Sequence, residues 1–125
     1  MPNEVFLGKD GFIHQTLGKD MTPQDLRDDL IKLLEIEEQL IRQNKPIKIL
    51  LDASNIKKSD KATRKEGLNN LSHMHYEKIG IFGMNSYMKH IVNFVLSASG
   101  MGAKIRVFNT AEEASEWFKY QSLKS

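Results

Sequence analysis

Apolar residues recur along this chain at two spacings, and the alternation between them outlines a fold. Ile49-Leu50-Leu51 and Ile79-Gly80-Ile81-Phe82 are short unbroken apolar runs, as expected of strands buried on both faces. Ala103 to Phe108 reads as a further strand. Val5-Phe6-Leu7 and Phe12-Ile13-His14 flank Gly8-Lys9-Asp10-Gly11, and Asp-Gly between two apolar runs predicts a hairpin. Helical spacing takes over at Leu26, Leu30, Leu33, Leu34, Leu40 and Ile41. Thr22 is placed to cap that helix, with Pro23 at its first position and Asp25 where a negative charge meets the positive helix end. Asn44-Lys45-Pro46 closes it.

A weakly amphipathic helix is expected from about Asp60 to His73. A third helix covers Ser86 to Ser99 and ends at Gly100 or Gly102. Asn109 or Thr110 caps a fourth, with Glu112 and Glu113 in its first turn and Trp117-Phe118 as its apolar anchor. The resulting order, ββαβαβαβα, predicts an α/β fold: a mixed sheet of about five strands covered by about four helices. No linker or repeat interrupts the 125 residues, so a single domain over 1–125 is expected.

Composition narrows the function. Hydrophobic residues make up 40% and charged residues 27%, ordinary for a soluble globular chain. A net charge of +2 gives no reason to expect nucleic acid as a partner. The absence of cysteine excludes disulfides, thiol catalysis and zinc–thiolate sites. No stretch approaches the roughly 20 apolar residues of a membrane span, and Met1-Pro2-Asn3-Glu4 has no signal-peptide character. A cytoplasmic protein without a cofactor is expected.

Three stretches carry a family resemblance. They are Ile49-Leu50-Leu51-Asp52-Ala53-Ser54, Lys78-Ile79-Gly80-Ile81-Phe82-Gly83, and Ile105 through Phe118. With the element order, they resemble the STAS superfamily, and within it the branch of small stand-alone bacterial anti-sigma-factor antagonists. The last stretch is the most specific: a closing strand, a short turn, and a helix that begins acidic and ends in a bulky pair. The resemblance covers essentially the whole chain and implies a STAS-like domain that regulates by binding and does no chemistry. In the phospho-switched antagonists the loop after the central strand carries Asp-Ser-Ser-Gly, and a partner kinase phosphorylates a serine there. The corresponding stretch here is Ser59-Asp60-Lys61-Ala62-Thr63, with Lys61 and Ala62 in place of the two serines. Ser59 and Thr63 are the hydroxyls that remain for such a switch.

Sites in open α/β sheets form at strand carboxyl ends and the helix starts that follow. The loop and helix start after the central strand are therefore the expected binding surface for a protein partner or small ligand. Asp52, Ser54, Ser59, Asp60 and Thr63 offer hydrogen-bonding groups there, and Lys57, Lys58, Lys61 and Arg64 offer positive charge. A solvated basic helix face is the plainer account of the lysines. The third helix is apolar on more than one stripe. Met84, Tyr87, Met88, Ile91, Phe94 and Val95 would line a pocket for a hydrophobic small molecule or lipid, or a homodimer contact, unless that helix is simply buried.

A hydrolase using Asp52 or a histidine is the third expectation, although no nucleophile–base–orienter spacing supports it. His73-Met74-His75 falls short of the three or four convergent ligands of a metal site, so none is expected. Gly100-Met101-Gly102 follows a helix instead of preceding one and reads as a helix end. Glu37, seven residues after Leu30, falls close to the apolar face of the first helix; a buried acid there would be a candidate for chemistry, and a wide face or a place at its rim is the plainer account.

Overall fold

The computed structural model describes residues 3–124, with side chains described through Lys119. β1 (Glu4–Leu7) and β2 (Ile13–Thr16) form the antiparallel hairpin, with Leu7 opposite Ile13. Gly11 supplies the positive φ of 86° that the turn needs. The Gly8 amide donates to the Phe12 carbonyl at 2.9 Å, and the Phe12 amide to Asp10 Oδ1 at 3.0 Å. β2 then pairs parallel with β3 (Lys48–Asp52), β3 with β4 (Lys78–Phe82), and β4 with β5 (Ile105–Phe108).

The five strands lie in the sheet in the order in which they occur in the chain. The parallel connections are made by α1 (Pro23–Arg42), α2 (Lys61–Ser72) and α3 (Ser86–Ser99). Right-handed crossovers that step repeatedly in one direction put their helices on one face. The last helix, α4 (Ala111–Lys124), packs on the other.

Register aligns one isoleucine from each parallel strand: Ile13 opposite Ile49, Ile49 opposite Ile79, and Ile79 opposite Ile105. All four are at most 3% exposed and form the floor on which α1, α2 and α3 rest. On the opposite face Leu50 meets Ala114, Trp117 and Phe118. Helix α4 comes so close to the sheet that a Cβ on Gly80 would lie 2.8 Å from that of Ala114. Glycine at the centre of β4 is therefore a packing requirement.

The caps agree with the sequence. Thr22 and Asp25 form a reciprocal capping box, and Thr110 and Glu113 do the same for α4. Gly100, at φ 75°, ends α3 in the left-handed conformation. Glu37 differs from its expected position at the rim. It is 5% exposed and its carboxylate accepts from the His75 backbone amide, fastening α1 to the chain that leads into β4. Asp29 is also buried, bound by Asn3 Nδ2 at 2.8 Å and Gln15 Nε2 at 3.0 Å. Burial raises its carboxyl above the ordinary range, while those two hydrogen bonds pull the other way.

Candidate functional site: a basic loop beside an apolar cavity

At the carboxyl edge of the sheet the chain leaves β3 through a tight turn. Asp52 Oδ1 accepts from the Ser54 amide at 2.9 Å and the Ser54 hydroxyl at 2.7 Å. The Ala53 amide still pairs with the Phe82 carbonyl at 2.9 Å, so the loop is anchored to β4 before it departs. Gly83 then passes so near that a Cβ on it would lie 2.8 Å from Ser54 Cβ. Asn85 does two things: Oδ1 caps α3 through the Met88 amide at 2.8 Å, and Nδ2 donates to the Lys57 carbonyl at 3.1 Å. The loops after β3 and β4 are thus held by each other.

On this base Lys57, Lys58, Lys61 and Lys65 are exposed. Arg64 is turned inward, with Nη1 donating to the Ser59 carbonyl at 2.5 Å and lying 3.3 Å from the Ser59 hydroxyl. Asp60 caps α2 by accepting from the Thr63 amide at 2.7 Å. Hydrogen bonds from the Thr63 side chain, and then from its backbone, hold the Asp60 carboxyl below its usual range. Thr63 itself is 3% exposed. Of the two hydroxyls left for a phosphate switch, Thr63 is enclosed and Ser59 is half-buried against Arg64.

Beneath this edge lies a cavity of about 190 Å³ between the isoleucine floor and helices α2 and α3. Its lining is almost wholly apolar. Its half-exposed lining residues include Met21, Leu51, Ser59 and Met84 at the carboxyl edge as well as Leu68 and Val92 on α2 and α3. Gly67 explains part of the space: it lines the cavity from mid-helix, and the nearest atom a Cβ would meet is Leu26 Cδ1 at 3.9 Å. Ile56, Ser59, Thr63 and Arg64 also line the cavity, so the basic loop and the cavity share a wall.

The apolar residues on and just before α3 divide between two sides. Met84, Met88 and Val95 line the cavity. Ile91 is half-buried outside its lining, and Tyr87 and Phe94 are 62% and 74% exposed on the outer side. Sequence reasoning missed Gly67 and Asn70, both of which line the cavity. The signal for the first was a glycine inside a helical stretch, which asks for a packing reason.

Three of the four histidines have neighbours other than Asp52, and His90 is exposed on α3. His14 pairs with Asp10 at 2.9 Å and stacks on Phe6, His73 caps the end of α2, and His75 lies by Glu37. Among the described residues no three His, Asp or Glu side chains come together as a metal-binding group. No helix among them is long and apolar enough to cross a membrane.

A five-stranded mixed sheet, three helices on one face, one on the other, and a carboxyl-edge loop leading into a helix define the STAS type of α/β domain. The model of the SpoIIAA-like family matches residues 12–119, and the chain belongs to that family. No curated protein matches the chain. Domains of this kind are regulatory and partner-binding, and typically non-enzymatic.

Proposed function

We propose that this chain is a non-enzymatic regulatory domain that engages a protein partner through the loop and helix start after β3. The carrying observation is that the two carboxyl-edge loops are fastened together by Ser54, Gly83 and Asn85 while Lys57, Lys58 and Lys61 point to solvent. A fixed backbone lowers the ordering cost of binding, and the lysines select an acidic partner surface. Asp52, Ser54 and Asp60 are engaged in holding the loop, so their part is to shape the surface. The absence of the two serines at Lys61 and Ala62, with Thr63 enclosed, favours a switch other than phosphorylation. Affinity capture from the protein's own cells, run with wild type and a Lys58→Glu/Lys61→Glu double variant, tests this. A partner held by wild type and lost by the double variant is expected; identical captures overturn the reading.

The cavity favours a second reading, binding of a hydrophobic small molecule. An enclosed apolar cavity of about 150 Å³ takes benzene, and this space of about 190 Å³, though open to solvent on one side, offers a hydrophobic guest an almost wholly apolar lining. An environment-sensitive apolar dye is expected to bind the folded chain and to be displaced by a fatty acid. Failure of any dye or fatty acid to bind removes this reading and leaves the first intact.

A further inference from the structure

The cavity lining holds one charged side chain, and that side chain has no counter-ion. Arg64, near the start of α2, is half-buried and lines the cavity together with Ser59. Arg27 pairs with Glu66 and Arg42 with Glu38, but among the described residues no carboxylate reaches Arg64. The Asp60 carboxylate nearby is bound to Thr63 instead. The Arg64 guanidinium meets only neutral groups: Nη1 donates to the Ser59 carbonyl and lies 3.3 Å from the Ser59 hydroxyl. Nε and Nη2 make no hydrogen bond. They are not sealed in. Among the described residues the buried side-chain polar atoms without a partner are Asn70 Oδ1 and Trp117 Nε1, so both Arg64 nitrogens are accessible. Ser59, to which the guanidinium is tied, is one of the half-exposed lining residues at the carboxyl edge. A partly buried guanidinium with no carboxylate is an unbalanced charge, costly to shield from water and suited to an incoming anion.

We infer that the cavity takes an amphiphile, with a single apolar chain inside and an anionic, oxygen-bearing head on Arg64 at the carboxyl edge. This rests on the cavity reading above and adds the head group. The planar guanidinium presents N–H groups that match the oxygens of a carboxylate or a phosphate. The Ser59 hydroxyl, an acceptor for Arg64, keeps its own hydrogen to donate to the same head. Lys57, Lys58 and Lys61 are exposed on this edge and add a positive potential that draws an anion towards it. Behind Arg64 the lining is almost wholly apolar. About 150 Å³ accommodates benzene, so a space of about 190 Å³ suits a chain of roughly eight carbons. Arg64 is then a specificity-determining residue as well as a tie to the loop after β3.

The probes are octanoate, octyl phosphate and octan-1-ol, which share a chain and differ in the head. Their dissociation constants are measured by calorimetry at a pH well above the carboxylate range, for wild type and for Arg64→Met. Methionine keeps an apolar stem and removes the charge. The informative quantity is the ratio of anion to alcohol affinity, since a change in the cavity itself acts on both. That ratio is expected to fall by about tenfold or more in Arg64→Met. The tighter of the two anions names the head, and either order supports the inference. An unchanged ratio, or binding of the alcohol but of neither anion to wild type, overturns it and leaves an apolar cavity with Arg64 as a loop tie. Binding of none of the probes to wild type removes the cavity reading and the inference with it. Should Arg64→Met fail to fold, wild type alone decides. The Arg64 Nε resonance is expected to move with octanoate beyond any shift caused by octan-1-ol. Equal shifts overturn the inference.

Discussion

Replacing Gly83 with alanine imposes two separable costs. The residue has φ +85°, a left-handed conformation that disfavours any Cβ by ~1–2 kcal/mol. The new Cβ would also meet Ser54 Cβ at 2.8 Å and the Ser54 Cα and nitrogen at 3.1 Å. Two of those atoms are backbone, so relief requires the loop after β3 to shift, an overpacking cost of ~1–3 kcal/mol. Gly11 is a matched control: its φ is +86° and a Cβ there meets nothing within 4 Å. Both substitutions stiffen the unfolded chain alike, so that contribution cancels in the comparison. Gly11→Ala is expected to cost ~1–2 kcal/mol and Gly83→Ala ~2–5 kcal/mol. Urea unfolding at unchanged m-value measures both. Thermal midpoints give a second reading, at about 4 °C per kcal/mol for a chain of this size. Equal costs at the two glycines would falsify the claim that the two loops hold each other through Ser54 and Gly83.

Gly80→Ala places a Cβ 2.8 Å from the Ala114 Cβ and is expected to cost ~1–3 kcal/mol by the same measurement. Phe118, fully buried, should cost ~3–5 kcal/mol as Phe118→Ala. Phe94, 74% exposed, should stay within ~0.5 kcal/mol as Phe94→Ala; comparable losses would show that the outer face of α3 is covered. Asp29 and Asp60 should give opposite pH trends. Burial raises the native pKa of Asp29, so the folded state keeps a proton the unfolded chain has released, and stability falls as pH rises from the unfolded value to the native one. The Thr63 hydrogen bonds lower that of Asp60, whose contribution is complete above its unfolded value and lost as pH falls through the native one. Urea midpoints across the acidic range should show Asp29→Asn removing the first trend and Asp60→Asn the second.

The sequence carried the fold well where local chemistry decides it. Thr22, Pro23 and Asp25 mark one helix start and Thr110 with Glu113 another; Asp60 and Gly100 stand at observed helix ends. Unbroken apolar runs announce the central strands because a parallel strand covered on both faces needs no polar side. Positions whose role depends on a distant neighbour were less visible. Glu37 looks like a rim acid until the His75 amide, 38 residues away, is brought to it. Asn70 looks like an ordinary helical polar residue until its partner proves to be the Leu26 carbonyl. Helix α3 was readable as too apolar for one stripe, but which residues turn inward depends on the angle at which it meets the sheet. The basic loop was visible as charge. The inward turn of Arg64 onto Ser59 was not.

The order of strands in the sheet bears on how the chain acquires its structure. Each strand pairs with the one just before it in the sequence, so no segment must wait for a distant partner and every closure spans a single crossover. Synthesis from the amino end can lay down β1 to β5 in turn, with α1, α2 and α3 docking as they emerge. The exception is α4, which follows β5 in the chain and covers Leu50 and Gly80. Until it has emerged and docked, one side of the sheet stands open to water. A stalled or truncated chain lacking that helix would therefore be a preferred client for chaperones and a seed for aggregation.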